Sequence, residues 1–196
     1  MARDPEATKQ RLFDAAVDEF ARHGIAGARI DRIARRAGAN KQLIYAYFGC
    51  KQELFDQVVT DHVARFLRDV PLDPEDVPGY AGATFDFFTD NPTIVRLGAW
   101  HSLEPSQADK PIAAIKRSLD QRVRALRRAQ AAGLVDATIP ADQLLVMIYA
   151  IARSWVATVP ELHVQGGDDR ARRSARRRAV VEAVRRLVTP TNEPPA

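Results

Sequence analysis

Apolar residues recur at helical spacing almost from the start of the chain. Leu12, Ala16 and Phe20 fall four apart with Phe13 and Val17 beside them, which predicts a helix from about Ala7 that Gly24 stops. A short second helix is predicted from Arg29 to Ala37, with Ile30, Ile33, Ala34 and Ala37 on one side and Arg29, Arg32, Arg35 and Arg36 largely on the other. Gly38 ends it. Asn40 is placed to cap a third helix, Lys41 to Phe48, whose inward pair is Ile44 and Phe48. Three helices in such a short span, with a glycine in the tight link between the last two, fit a helix-turn-helix.

The period continues. A fourth helix is predicted from Lys51 to about Val70, with Leu54, Phe55, Val58, Val59, His62 and Phe66 as its apolar face. Residues 71–79, PLDPEDVPG, hold three prolines and a glycine and read as a connection. Tyr80–Thr89 and Pro92–Leu103 read as two shorter helices. Lys110–Ala131 carries Ile112, Ile115, Leu119, Val123 and Leu126 on one stripe, and Lys116, Arg117, Arg122, Arg124, Arg127 and Arg128 on the other side. Pro140 and Asp142 introduce a strongly apolar helix to about Val159, ended by Pro160, and a last helix covers Asp169 to Val188. No stretch alternates with period two and no internal repeat is present. The expected fold is all-α with about nine helices.

Composition changes this picture mainly by exclusion. The 196 residues carry 29 Lys+Arg against 25 Asp+Glu, a net charge of +4 that proves no anionic partner. Its distribution says more: between residues 28 and 41, Arg29, Arg32, Arg35, Arg36 and Lys41 face only Asp31, whereas residues 65–113 are net acidic. The single cysteine, Cys50, has no partner for an intrachain disulfide and points to a reducing compartment. The first residues, MARDPEATKQRLF, lack an apolar run or cleavage pattern. The longest apolar run, Leu144 to Ala152, has nine residues, short of the roughly 20 that span a bilayer. A soluble, cytoplasmic protein with no membrane association is expected. Catalytic and metal-binding residues are expected to be none, and cofactors none. His23, His62, His101 and His163 are dispersed, His101 and Glu104 have no further metal ligands, and the chain holds no HExxH, GxGxxG or GxxxxGK[ST].

The stretch Arg29 to Lys51, RIDRIARRAGANKQLIYAYFGCK, has small and branched residues for two closely crossing helices. It also has polar and aromatic residues for a face that enters the major groove. Lys41 can donate to guanine, Gln42 can pair with adenine, and Leu43 can touch a thymine methyl. With Phe20, Gly24, Ile33-Ala34, Ala37-Gly38, Tyr45, Tyr47-Phe48, Lys51 and Leu54, this segment resembles the DNA-binding head of the TetR family of one-component transcriptional regulators. The resemblance is specific over residues 7–56. It implies that Tyr47 and Lys51 contact phosphates, while Lys41, Gln42, Leu43, Tyr45 and Ala46 form the surface that meets base edges. The family commonly opens its second helix with threonine or serine, where this chain has Ala28-Arg29. Arg29 can replace the phosphate contact of that hydroxyl but not its cap. The usual valine after the turn glycine is Ala39, a smaller plug.

The same resemblance implies a division into a three-helix DNA-binding head, 1–50, and a helical ligand-binding and dimerisation region, 51–190; the composition of residues 191–196 leads to the expectation of a disordered tail. The resemblance also implies double-stranded operator DNA, palindromic in sequence, as partner, and a homodimer built by helices 142–159 and 169–188. Leu144, Leu145, Ile148, Ile151 and Ala152, with Val180, Val184 and Leu187, are expected to supply the dimer surface. A small, mostly apolar effector is expected in the central helices, where Trp100, His101, Tyr149 and Trp155 are the candidates to grip it. Arg96 and Arg153 would meet an acidic ligand if buried. The arginine cluster 170–178 reads as a solvated bundle rim with acidic partners such as Asp168 and Asp169 or the other subunit. Two alternatives stay open: repression without an effector, and a helical protein-interaction scaffold.

Overall fold

The computed structural model describes residues 4–103, 112–157 and 170–190. Among them are nine helices and no strand: α1 Pro5–Gly27, α2 Ile30–Arg36, α3 Lys41–Phe48, α4 Lys51–Asp69, α5 Val77–Asp90, α6 Pro92–Leu103, α7 Ala113–Ala131, α8 Ala141–Ala157 and α9 Arg170–Val188. Expectations placed on His163, Asp168, Asp169, Glu104, Lys110, Val159, Pro160 and the 191–196 tail lie outside the described residues.

Local signals explain most boundaries. Asp4 caps α1 by accepting from the Glu6 amide at 3.0 Å, and Pro5 occupies the first turn, where no amide is needed. Gly24 breaks the helical backbone as expected, but the break is a kink: at φ 62°, ψ −177° it turns the chain, which then stays helical to Gly27. Asn40 caps α3 through the Gln42 amide at 2.9 Å. Gly49, at φ 78°, closes α3. The Cys50 amide is then taken by Glu53 Oε2 at 2.7 Å, the reciprocal half of a capping box at the start of α4.

One boundary differs from the expectation. Val77, Pro78 and Gly79 are the first turn of α5 rather than part of the connection. Asp76 accepts from the Gly79 amide at 2.8 Å, and a proline in a first turn removes no helical hydrogen bond.

The chain packs as two compact units, Met1–Arg65 with Thr93–Ile115, and Phe66–Pro92 with Lys116–Ala196. These cuts fall inside α4, at the start of α6 and inside α7, whereas the expected 50/51 division follows the motif. In the first unit Leu12, Phe20, Ile33, Ile44, Leu54 and Phe55 are fully buried, and Leu97 of α6 joins their cluster. Phe20 and Phe55 meet edge to face at 5.1 Å.

In the second unit α8 and α9 both pack on α5. Gly82 permits the close approach of α9, since a Cβ there would lie 2.8 Å from Val181 Cγ2. Most of the apolar residues expected at the dimer surface are covered by their own chain. Leu144, Leu145, Ile148, Ala152, Val180 and Val184 are buried within the chain, because α5 supplies the cover that a second copy was expected to supply. Ile151 and Leu187 are half-buried. The outward apolar residues of α8 are Val146, 68 % exposed, and Met147, 37 % exposed.

The arginine cluster also finds partners in its own chain. Arg173 forks onto Asp90 at 2.6 and 2.8 Å, and Arg177 Nε donates to Asp86 at 2.6 Å. Arg122, expected on the solvated side of α7, is 9 % exposed. It donates to Tyr80 Oη at 3.2 Å and to the carbonyls of Leu67 and Val70, at the end of α4, at 3.0 and 2.8 Å. Cationic donors at a helix carboxyl end satisfy its unpaired carbonyls and complement its dipole. Arg96 and Arg153 are exposed, so the buried arginine is Arg122 instead.

Candidate nucleic-acid interface

Helix α3 sorts its residues by direction. Ile44 and Phe48 are buried against the head, while Lys41, Gln42, Tyr45 and Ala46 are exposed, Tyr45 by 54 %. Leu43 and Tyr47 are half-buried at the edge of that face. Tyr47 leans its ring edgewise on Phe48 at 6.1 Å and borders, with Leu43, a cleft shared with Thr8 and Arg11 of α1 and with Ala39. Lys41 Nζ lies 3.3 Å from Asp31 in a pair so exposed that solvent and salt screen it. Lys51 Nζ donates to the Ala28 carbonyl at 3.3 Å, and an ammonium has two further protons for a phosphate. Arg29 is exposed at the start of α2. Arg29, Lys41, Gln42, Leu43, Tyr45 and Tyr47 thus lie in the head and Lys51 at its border, in the first turn of α4, with the base-reading candidates on one helix.

Arg29 makes no side-chain cap for α2. The missing acceptor comes from α1: Glu19 Oε1 accepts from the Arg29 amide at 2.9 Å and from Arg32 Nε at 2.7 Å. Sequence reasoning missed Glu19, although an uncapped helix start beside a helix bearing carboxylates was the available signal. Burial acts to raise the Glu19 pKa, but the hydrogen bonds from Arg32 and the Arg29 amide, with the Arg32 charge, hold it below the ordinary glutamate value. The folded state therefore binds this proton more weakly than the unfolded chain. The associated stability is present at neutral pH and is lost as pH falls below the ordinary glutamate range through the lowered pKa. Denaturant melts between neutral pH and pH about 3 should show a smaller acid-side loss for Glu19→Gln than for the native chain. Parallel curves would remove Glu19 from that role.

Cys50 is exposed, and its amide engages Glu53, whose pKa is lowered first by that bond. Its neighbour Lys51 directs its ammonium to the Ala28 carbonyl.

The effector candidates fall in different units. In the first, Trp100 Nε1 donates to the Ala21 carbonyl at 3.3 Å, and its ring fills the space beside Gly24. His101 sits 6.3 Å from the Phe55 ring; its Nδ1 is buried with no hydrogen-bond partner among the described residues. Burial lowers the His101 pKa, against the raising effect of the Asp56 charge. In the second unit, Tyr149 Oη meets Tyr80 Oη at 2.9 Å, and its ring stands edgewise to Phe66 at 5.7 Å. Burial first, then Tyr80, pushes the Tyr149 pKa above the ordinary phenol range. Trp155 lies under the Arg176 guanidinium, 5.0 Å from the ring centroid. Arg122 and Tyr80 join Tyr149 in a polar chain that the candidate set lacked.

An exposed, capped recognition helix on a buried three-helix scaffold defines a helix-turn-helix DNA-binding protein. The comparisons agree along nearly the whole chain. Residues 12–58 match the family described as bacterial regulatory proteins, tetR family, and residues 76–186 match the tetracyclin repressor-like, C-terminal domain. The HTH-type transcriptional repressor SCO4008 of Streptomyces coelicolor is 44 % identical over 191 residues, covering 95 % of this chain and 98 % of that one. The HTH-type transcriptional repressor NicS of Pseudomonas putida is 31 % identical over 109 residues, 52 % of this chain and 51 % of that one. The crystal structure of SCO4942 from Streptomyces coelicolor superposes with a TM-score of 0.79 at 37 % identity, covering 92 % of this chain and 98 % of that one. The chain belongs to the TetR family of helix-turn-helix transcriptional regulators. Family and relatives are regulators of transcription rather than enzymes. No helix among the described residues is long and apolar enough to cross a membrane.

Proposed function

We propose that this protein is a cytoplasmic repressor that binds a palindromic operator as a homodimer and leaves it when a small, mostly apolar effector binds. The observation that carries this reading is the exposed face of α3, with Lys41, Gln42 and Tyr45 outward and Ile44 and Phe48 fixed beneath. Residues 1–50 act as the DNA-binding head and 51–190 as the regulatory and dimerisation region. Lys41, Gln42, Leu43 and Tyr45 read base edges, while Arg29, Tyr47 and Lys51 anchor phosphates. A two-fold dimer lets two eight-residue helices combine their affinity over two half-sites. The outward faces of α8 and α9, including Val146 and Met147, form the contact with the second copy.

Tyr149 and Trp155 are the effector-gripping candidates of the second unit, each an aromatic with a polar tip. Trp100 and His101 are candidates of the first. The effector acts by changing the inclination of α4, the helix that continues directly from the head. Because binding free energies are coupled reciprocally, such an effector must bind the DNA complex more weakly than the free dimer.

The test begins with selection of an operator from a random duplex pool, which should yield a palindrome bound by two chains. On that site Gln42→Ala should cost about 1–3 kcal/mol, and less on random duplex. Equal losses on both would remove Gln42 from base reading. Compounds that release the operator are then titrated against free and DNA-bound protein, and equal affinities for both would end the release mechanism.

A further inference from the structure

Helix α2 has only seven residues and supplies no side-chain cap of its own, yet it carries the turn that presents α3. Both of its ends are held from α1. At the start, Glu19 Oε1 accepts from the Arg29 amide and Arg32 Nε, and the Glu19 side chain is only 10 % exposed. At the end, Arg11 Nε donates to the Ala37 carbonyl at 3.3 Å, while its Nη2 is fixed on Thr8 Oγ1 at 2.9 Å. Arg36 adds an exposed pair with Asp18.

The spacing matters as much as the contacts. Arg11 and Glu19 stand eight residues apart on one helix, a rise of about 12 Å, and the seven residues of α2 span about 10 Å. One helix therefore presents an acceptor to the amide end of its antiparallel neighbour and a donor to the carbonyl end. The apolar contacts of Ile33 and Ala34 bury α2, but hydrophobic contact is non-directional and tolerates sliding. Hydrogen bonds at both ends do not, because they weaken steeply with distance and angle.

We infer that Glu19 and Arg11 are positioning residues for operator reading, which set the axial register of α2 on α1 and so the placement of α3 against base edges. This rests on the reading of α3 as the base-contacting helix. Bidentate base contacts require placement within hydrogen-bond tolerance, whereas phosphate contacts by long cations accept a range of positions. A slip of α2 should consequently damage specific binding and spare binding to random DNA.

The test uses the full chain, the operator recovered by selection, and a random duplex of equal length over a salt series. Wild-type preference for the selected operator comes first; without it the reading of α3 fails, whatever Glu19 does. Given that preference, Glu19→Gln keeps an acceptor for the Arg29 amide and should weaken operator binding about threefold, and Glu19→Leu about tenfold or more. Arg11→Gln should act in the same direction. Random-duplex affinity should stay within about twofold and the salt slope should equal the wild type's, since Glu19 carries no positive charge and the Arg11 guanidinium is engaged by Ala37 and Thr8. Circular dichroism fixes an assay temperature at which each variant is folded, and if Glu19→Leu does not fold, Glu19→Gln and Arg11→Gln decide. A selective operator loss supports the inference. Equal losses on both duplexes, no loss on either, or a salt slope reduced by about one for Arg11→Gln overturns it.

Discussion

Gly24→Ala should lower the unfolding free energy by about 3 kcal/mol, seen as a shifted denaturant midpoint with unchanged slope. Two independent costs combine. The backbone at φ 62°, ψ −177° lies in a region that is essentially restricted to glycine. A Cβ there would also stand 2.7 Å from the Trp100 ring, whose Nε1 is tied to Ala21. A double-mutant cycle with Trp100→Ala separates them, because removing the indole relieves the clash and leaves the backbone cost. A Gly24→Ala midpoint equal to that of the native chain would mean that the kink and the indole both relax freely.

Arg122→Met should cost a similar amount, about 3 kcal/mol. Methionine fills much of the same volume and removes the charge, so the substitution isolates the polar contacts. It leaves the Leu67 and Val70 carbonyls and the Tyr80 hydroxyl without their donor in a buried setting. It also ends the cation–π contact with Phe66 at 5.9 Å. A double-mutant cycle with Tyr80→Phe apportions the loss: coupling between the two should be clearly non-zero, and strict additivity would show that the Arg122–Tyr80 bond contributes nothing of its own.

The two residues show where sequence periodicity succeeds and where it stops. Leu12, Phe20, Ile33, Ile44 and Phe48 were legible as core because an apolar residue at core spacing has few other uses. The outward face of α3 followed by subtraction. Arg122 occupies core spacing too, seven after Ile115 and four before Leu126, yet its charge placed it among surface residues. Only the carbonyl end of α4, brought there by tertiary packing, accounts for its burial. Glu19 was hidden for the same reason, since its partners lie 10 and 13 residues away. The apolar faces of α8 and α9 are legible as buried, but the residues expected to meet a second copy are covered by α5. Periodicity says that a face is buried, and says nothing of whether α5 or a second copy buries it. Val77–Gly79 failed differently: proline and glycine mark turns on average, and the Asp76 cap reversed that local preference.

The joint between α3 and α4 has a mechanical consequence. Gly49 and Cys50 alone separate the two helices, and both amides are occupied, one by the Tyr45 carbonyl at 3.1 Å and one by Glu53 at 2.7 Å. Lys51 adds a strut to the Ala28 carbonyl. A coupling so short and so fully bonded has no backlash. Helix α3 and the first turns of α4 behave as one bent rod, whose elbow is stiffer than a loop of free residues. An angular change at Lys51–Leu54 is therefore expected to carry Lys41–Tyr47 with it, so that the recognition helix turns with its shaft instead of lagging behind it.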